Sequence, residues 1–370
     1  MQKQKNDCFV VTAPGFESIC AGELAALGIQ PANIIRGGVE FEGGLQELYL
    51  ANLWLRSASR ILVRVGGVAA RDFPILFQRL SRLPWGRFVK PGVAYEIRVA
   101  SRGSRLTHTS RIADVCAAAM TKVLGEKKQG EKGSVQKIYL RMNDNYCQVS
   151  IDSSGEHLHR RGYRQARVAA PLRETLAAGC LLACEYDGSS PLLDMMTGSG
   201  TFSIEAALIA LHRAPGTGRD FAFMNWPKYR PGLWRQLLIE AQREEKSTLP
   251  APIIAVDNNP RAIAAVQLNL KKIGLDGSIQ LSCGNMQQLQ PQFSSGLMIC
   301  NPPYGERIGK NASLKSLYHD LDRIYGKTFA DWQGAIVCPE SELIKSTSTS
   351  FSPLLRFSNG GIKVALLKKS

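Results

Sequence analysis

The chain has 370 residues, of which 44% are hydrophobic and 21% charged. This is globular composition; it excludes a disordered or collagen-like chain, and the length suits two or three domains. Lys and Arg number 46 against 31 Asp and Glu, a net charge of +15. No run of about 18 apolar residues occurs and residues 1–7 are polar, so neither a membrane helix nor a secretory signal is expected. The expected location is cytoplasmic.

The excess charge is uneven. Residues 1–170 hold 25 basic and 14 acidic side chains, and residues 171–370 hold 21 and 17. A basic half beside a near-neutral half points to a nucleic-acid grip attached to something else. The nine cysteines (8, 20, 116, 147, 180, 184, 283, 300 and 338) form no C-x-x-C pair. Buried reduced thiols are expected. His157 and His159 are spaced for one face of a strand, but no Cys, Asp or Glu set completes a metal site, so no metal is expected.

Taken in chain order, 8–13 reads as a strand, and Pro14-Gly15 turns the chain. Residues 16–27 read as an amphipathic helix stopped by Gly28. Residues 39–42 alternate as a strand, and 45–55 are helical. The next unit has strand-like 61–65, a helix over 74–83, a strand over 94–99 and a helix over 109–124. A polar loop spans 125–134. Strands at 138–142 and 146–151 flank Asn143-Asp144-Asn145, a hairpin signal.

From 190 onward, strands and helices alternate. Strands are expected at 191–194, 253–257, 296–300 and 335–338, with a last edge strand at 362–367. Helices are expected at 201–211 and 260–273. This rhythm predicts a doubly wound, parallel α/β sheet. Residues 212–250, rich in Pro, Trp and Arg, read as an insertion.

Three places could carry chemistry. In Asp194-Met195-Met196-Thr197-Gly198-Ser199-Gly200-Thr201, a strand runs through two glycines into a helix. Glycines there let backbone approach a ligand at the carboxyl edge of the sheet. The run is not a phosphate-binding P-loop, and a plain tight turn remains open. Asp257 ends the next strand, where a carboxylate can hold two ribose hydroxyls; a helix cap before Pro260 remains open. Asn301-Pro302-Pro303-Tyr304 follows the third strand. Two prolines stiffen the loop and free the carbonyl of residue 302. An amide oxygen and that carbonyl can accept from an exocyclic amine, and a Tyr ring can stack on a base. An ordinary Pro-rich turn is the alternative.

Further signatures lie along the chain. They include Gly37-Gly38-Val39, residues 54–61 (WLRSASRI), 158–164 (LHRRGYR) and 173–178 (RETLAA). Others are Glu205-Ala206-Ala207, Arg213-Ala214-Pro215-Gly216, and Gly305-Glu306-Arg307 after the Asn-Pro-Pro-Tyr run. With these, nearly the whole chain resembles the THUMP-containing class I S-adenosylmethionine-dependent RNA methyltransferases. It is most similar to members that methylate N2 of guanine in 23S rRNA.

The resemblance implies a Rossmann-like methyltransferase domain at 156–370. Before it would come a ferredoxin-like part at 1–55 and a THUMP RNA-binding domain at 56–155. S-adenosylmethionine would be the cofactor and RNA the partner. Asp194, Gly198 and Gly200 would lie along its methionine part and Thr175 near the carboxylate. Asp257 would hold the ribose, and Asn285 with Met286 the adenine. Asn301, Pro302 and Tyr304 would hold the flipped guanine. Arg102, Arg105, Arg111, Arg161 and Arg164 are the expected RNA contacts. The chain departs from the family at Met195-Met196-Thr197, usually Pro-x-Cys, and at Asn285, usually Asp. The same chemistry on tRNA guanine, methylation of adenine N6, and a non-catalytic RNA-binding or ribosome-assembly factor are the rival readings.

Overall fold

The computed structural model describes residues 5–126, 135–165, 172–304, 311–345 and 347–370. Gly305, Glu306, Arg307 and most of the 125–134 loop lie outside these.

The N-terminal half forms one seven-stranded sheet. Its elements are β1 (Asn6–Thr12), α1 (Glu17–Ala26), β2 (Pro31–Ile35), β3 (Gly38–Gly43), α2 (Leu45–Trp54) and β4 (Ala58–Ala69). They continue with α3 (Phe73–Leu80), β5 (Tyr95–Arg102), α4 (Thr109–Leu124), β6 (Gln136–Asn143) and β7 (Tyr146–Asp152). The strand order is β2-β3-β1-β4-β7-β6-β5. The twelve-residue β4 joins the two expected units, because residues 58–63 pair with β1 and residues 62–69 with β7. In the β6–β7 hairpin, Asp144 and Asn145 both take positive φ, 48° and 62°, which the short polar side chains tolerate.

The C-terminal half holds α5 (Glu174–Ala183), β8 (Leu192–Asp194), α6 (Thr201–Ala210), α7 (Pro231–Glu244), β9 (Ile253–Asp257), α8 (Pro260–Lys272), β10 (Gln280–Cys283) and β11 (Leu297–Cys300). It ends with α9 (Asn311–Arg323), β12 (Gln333–Cys338), α10 (Glu342–Lys345), β13 (Phe351–Asn359) and β14 (Ile362–Lys369). The order is β10-β9-β8-β11-β12-β14-β13, with the first five strands parallel. Residues 362–367 were expected at the edge. They lie instead in β14, between β12 and the edge strand β13, and both pairings are antiparallel.

The insert packs on the other half of the protein. Phe221, Phe223, Trp226, Trp234 and Leu237 belong to the N-terminal core. Phe223 stacks on Tyr49 at 4.3 Å, and the Trp226 Nε1–H donates to Gln136 Oε1 at 2.8 Å. In the opposite direction, Phe16 leaves its own sheet for the C-terminal core and meets Phe357 edge-on at 5.0 Å. All nine cysteines are free thiols, and only Cys283 is exposed.

Candidate active site

Parallel pairing sets the site. Strand register places Cys283 beside Asp257 and Ala255 beside Asp194. Asp194 pairs with Ile299, two residues before Asn301. Asn285, Asp257, Asp194 and Asn301 therefore follow one another along the carboxyl rim of β10, β9, β8 and β11. This is where open α/β sheets bind ligands.

The glycine loop is the floor of the rim. Gly198 and Gly200 take φ of 54° and 83°, which a side chain would strain. A Cβ at Gly198 would meet nothing within 4 Å, so the loop faces open space there. Gly200 instead lies against Val266 at 2.8 Å from where a Cβ would stand, and caps α6. The Gly198 N–H donates to Asp257 Oδ2 and the Asn259 N–H to Asp257 Oδ1, both at 2.9 Å. Asp257 is thus held by two backbone donors, while the cap of α8 is Asn259.

Asp194 is fully buried. Ser203 Oγ donates to its Oδ2 at 2.7 Å, and its Oδ1 has no partner among the described residues. Burial pushes its pKa from 3.8 up to about 6. Asn301 Oδ1 is a second buried acceptor without a partner among the described residues. Buried acceptors are normally satisfied, so two orphans on one rim mark a place built to receive donors. Pro302, next in the chain, is buried. Tyr304 is buried in the C-terminal core, and its hydroxyl accepts from Asn359 Nδ2 at 2.8 Å. The ring expected to stack on a base is therefore covered in this structure.

Thr175 lies buried in the first turn of α5. Asn285 is exposed and caps a short turn through Gln287 N–H, and Met286 beside it is buried. Met195 and Thr197 serve the fold: Met195 is buried in the core, and the Thr197 N–H donates to Val256 O.

Two expected RNA contacts are corrected. Arg161 is buried, with its guanidinium on Glu205, Leu158 O and Arg56 O. Arg164 donates to Glu174, Ser199 Oγ, Leu172 O and Thr201 Oγ1. It ties α5 to the glycine loop, so both arginines brace the cradle instead of facing phosphate. Arg102, Arg105 and Arg111 are exposed. Sequence reasoning missed Asn269, which is buried on α8 and donates to Ser199 O at 3.1 Å. Its signal was a lone amide on the apolar face of a helix.

A family model described as RMKL-like, methyltransferase domain, matches residues 161–358. The chain belongs to the RMKL-like methyltransferase family. A model of the RlmL ferredoxin-like domain matches residues 7–62 of this methyltransferase, extending into β4. A Synechocystis protein named as a candidate RNA methyltransferase is 33% identical over 97% of this chain and 95% of its own length. The ribosomal RNA large subunit methyltransferase K/L of Syntrophotalea carbinolica is 34% identical over 97% of this chain. This chain spans 53% of that relative, about half its length. The solved structure of SMU.472, described as a candidate methyltransferase complexed with SAH, superposes with a TM-score of 0.91. It is 29% identical over 100% of this chain and 98% of its own.

Proposed function

We propose that this methyltransferase moves a methyl group from S-adenosylmethionine to the exocyclic N2 amine of a guanine in 23S rRNA. The observation that carries the reading is the orphaned, buried Asn301 Oδ1 on the same rim as the glycine loop. The cradle suits the cofactor: open space beside Gly198, a free acceptor on Asp194 for an ammonium, and Asp257 for ribose hydroxyls. When bound, S-adenosylmethionine supplies an electrophilic methyl on a sulfonium sulfur.

The residues of the chain do the rest. An aryl amine is a poor nucleophile because its lone pair is delocalised into the ring. Asn301 Oδ1 and the Pro302 carbonyl accept hydrogen bonds from its two N–H groups and draw the nitrogen toward tetrahedral geometry. That localises the lone pair and aims it along the line of displacement. The N–C bond forms as the methyl–sulfur bond breaks, and one N–H proton then passes to solvent. The target base leaves its stack to reach the rim, as bases do for methyltransferases. Residues 56–155 act as a THUMP domain that grips RNA, in keeping with the basic N-terminal half. The K/L relatives support the rRNA substrate.

The test uses radiolabelled S-adenosylmethionine with undermethylated 23S rRNA and, in parallel, tRNA, followed by nucleoside analysis. N2-methylguanosine in 23S rRNA is expected. Label confined to tRNA moves the substrate, and N6-methyladenosine overturns the target amine. No label and no cofactor binding would make the chain a non-catalytic RNA-binding factor. Asn301→Ala should lower the rate by about 100-fold or more, on the scale of removing one positioned hydrogen-bonding group. RNA affinity should be unchanged; joint loss of both would count against the assigned role.

A further inference from the structure

A cavity of about 380 Å³ lies between the N-terminal sheet and the insert. Methyl transfer makes no use of it. Asn6, at the start of β1, lies on its wall. The opposite end of β1 leads into Phe16 and its contact with Phe357. Seven strand residues separate those ends, roughly 20 Å.

The wall is cationic. Arg87, Lys228 and Arg230 line it, and the first turn of the ten-residue α2 opens onto it. The lone carboxylate on the wall, Glu47, takes up the Gly44 N–H at 2.7 Å and so caps α2. Arg87 donates through Nη2 to Asn6 Oδ1 at 2.9 Å. Its Nε is buried with no partner among the described residues. A buried N–H donor without an acceptor is the complement of an anion.

The rest of the wall is apolar: Leu45 and Leu233 are half-buried, and Phe88 and Trp226 are each 4% exposed. Phe88 and Trp226 meet edge-to-face at 5.1 Å, and the Trp226 N–H is already held by Gln136. The indole is therefore fixed, and its role in the wall is apolar contact. Cations beside an apolar wall match a phosphate and the base that goes with it. An acidic peptide would satisfy the cations and leave the apolar wall unused. The volume falls within the range of small-molecule pockets, which holds a mononucleotide.

We propose that this cavity binds one nucleotide of the RNA, its phosphate on Arg87, Lys228 and Arg230 and its base against the apolar wall that Leu45 and Leu233 form with the little-exposed Phe88 and Trp226. The inference rests on the RNA reading above. One wall belongs to the N-terminal half and the other to the insert of the methyltransferase half. An anchored nucleotide therefore fixes the RNA on both halves at once, away from the catalytic rim.

The test compares wild type with Lys228→Glu/Arg230→Glu, two exposed positions whose change spares the core. RNA affinity should fall at least tenfold and the salt slope flatten by about one, for the single phosphate no longer neutralised. The single-turnover methylation rate at saturating RNA should be unchanged. UMP, chosen because it lacks the guanine of the catalytic rim, should shift the Trp226 indole N–H resonance of wild type at millimolar concentration. The same resonance should not move in the double variant. Unaltered RNA affinity in the variant overturns the proposal. So does a shift from inorganic phosphate equal to that from UMP, or displacement by a poly-glutamate peptide in preference to UMP. RNA that fails to bind wild type overturns the RNA reading itself, and that outcome is separable from the others.

Discussion

Asp194 is a carboxylate that the fold holds against its own stability. Burial raises its pKa from 3.8 to about 6. A carboxyl group with a raised folded pKa is destabilising once it must ionise. Its protonated form fits the fold below the unfolded value, and stability is lost as the pH rises through 6. The difference is on the order of 3 kcal/mol at pH 8. Asp194→Asn should therefore raise the melting temperature at pH 8, with a gain that shrinks as the pH falls toward 4. Under the proposed function it should also weaken S-adenosylmethionine binding, because the proposed acceptor for the cofactor's ammonium loses its charge. A melting-temperature change independent of pH would sink the assignment. Asp194, Asp257 and Asn301 were legible because each polar residue ends an apolar run, and parallel strands put such ends on one rim. Arg161 and Arg164 were not, since charge alone does not distinguish a solvated arginine from one enclosed by Glu205 or Glu174.

Among the elements, α6 does more than follow the glycine loop. Its Glu205 is fully buried and receives Arg161 at 3.4 Å and the Tyr163 hydroxyl at 3.1 Å. Arg161 in turn donates to Arg56 O, and Arg56 reaches back to Leu208 O and Arg213 O. The network joins the N-terminal sheet to the methyltransferase sheet. Glu205→Leu leaves a buried guanidinium without its anion, which costs about 3–5 kcal/mol. The urea midpoint should fall accordingly, and an unchanged midpoint would show that the pair is dispensable. The strands that the sequence hid have a common cause. β2, β10 and β13 are edge strands with mostly exposed residues, and β2 and β13 contain Pro31 and Pro353, so none shows a buried apolar run. The aromatic residues of the insert announced burial, but their partner across the molecule is a nonlocal fact. No local pattern encodes the stacking of Phe223 on Tyr49.

At the scale of the molecule, the net charge of +15 acts as a field that gathers polyanion. The structure narrows where that field is free to act. Arg161 and Arg164 are enclosed, whereas Arg102, Arg105 and Arg111 are exposed around the end of β5 and the start of α4. The Arg111 guanidinium rests over the Phe73 ring at 4.2 Å, and the Arg105 N–H is fixed by Asn145 Oδ1 at 2.8 Å. These arginines stand on an ordered edge, so phosphate binding there would be positional as well as attractive. Reversing all three to Glu should weaken RNA binding and flatten the dependence of log K on log salt by about three, one unit for each phosphate that is no longer neutralised. Catalysis at saturating RNA should survive, because the triad lies on the N-terminal sheet and the reacting atoms on the rim of the other. Arg161→Gln gives the opposing signature: lower stability at an unchanged salt slope. If the triple variant keeps the wild-type slope, the phosphate grip lies on another face. If it loses activity at saturating RNA, that face orients the substrate as well as attracting it.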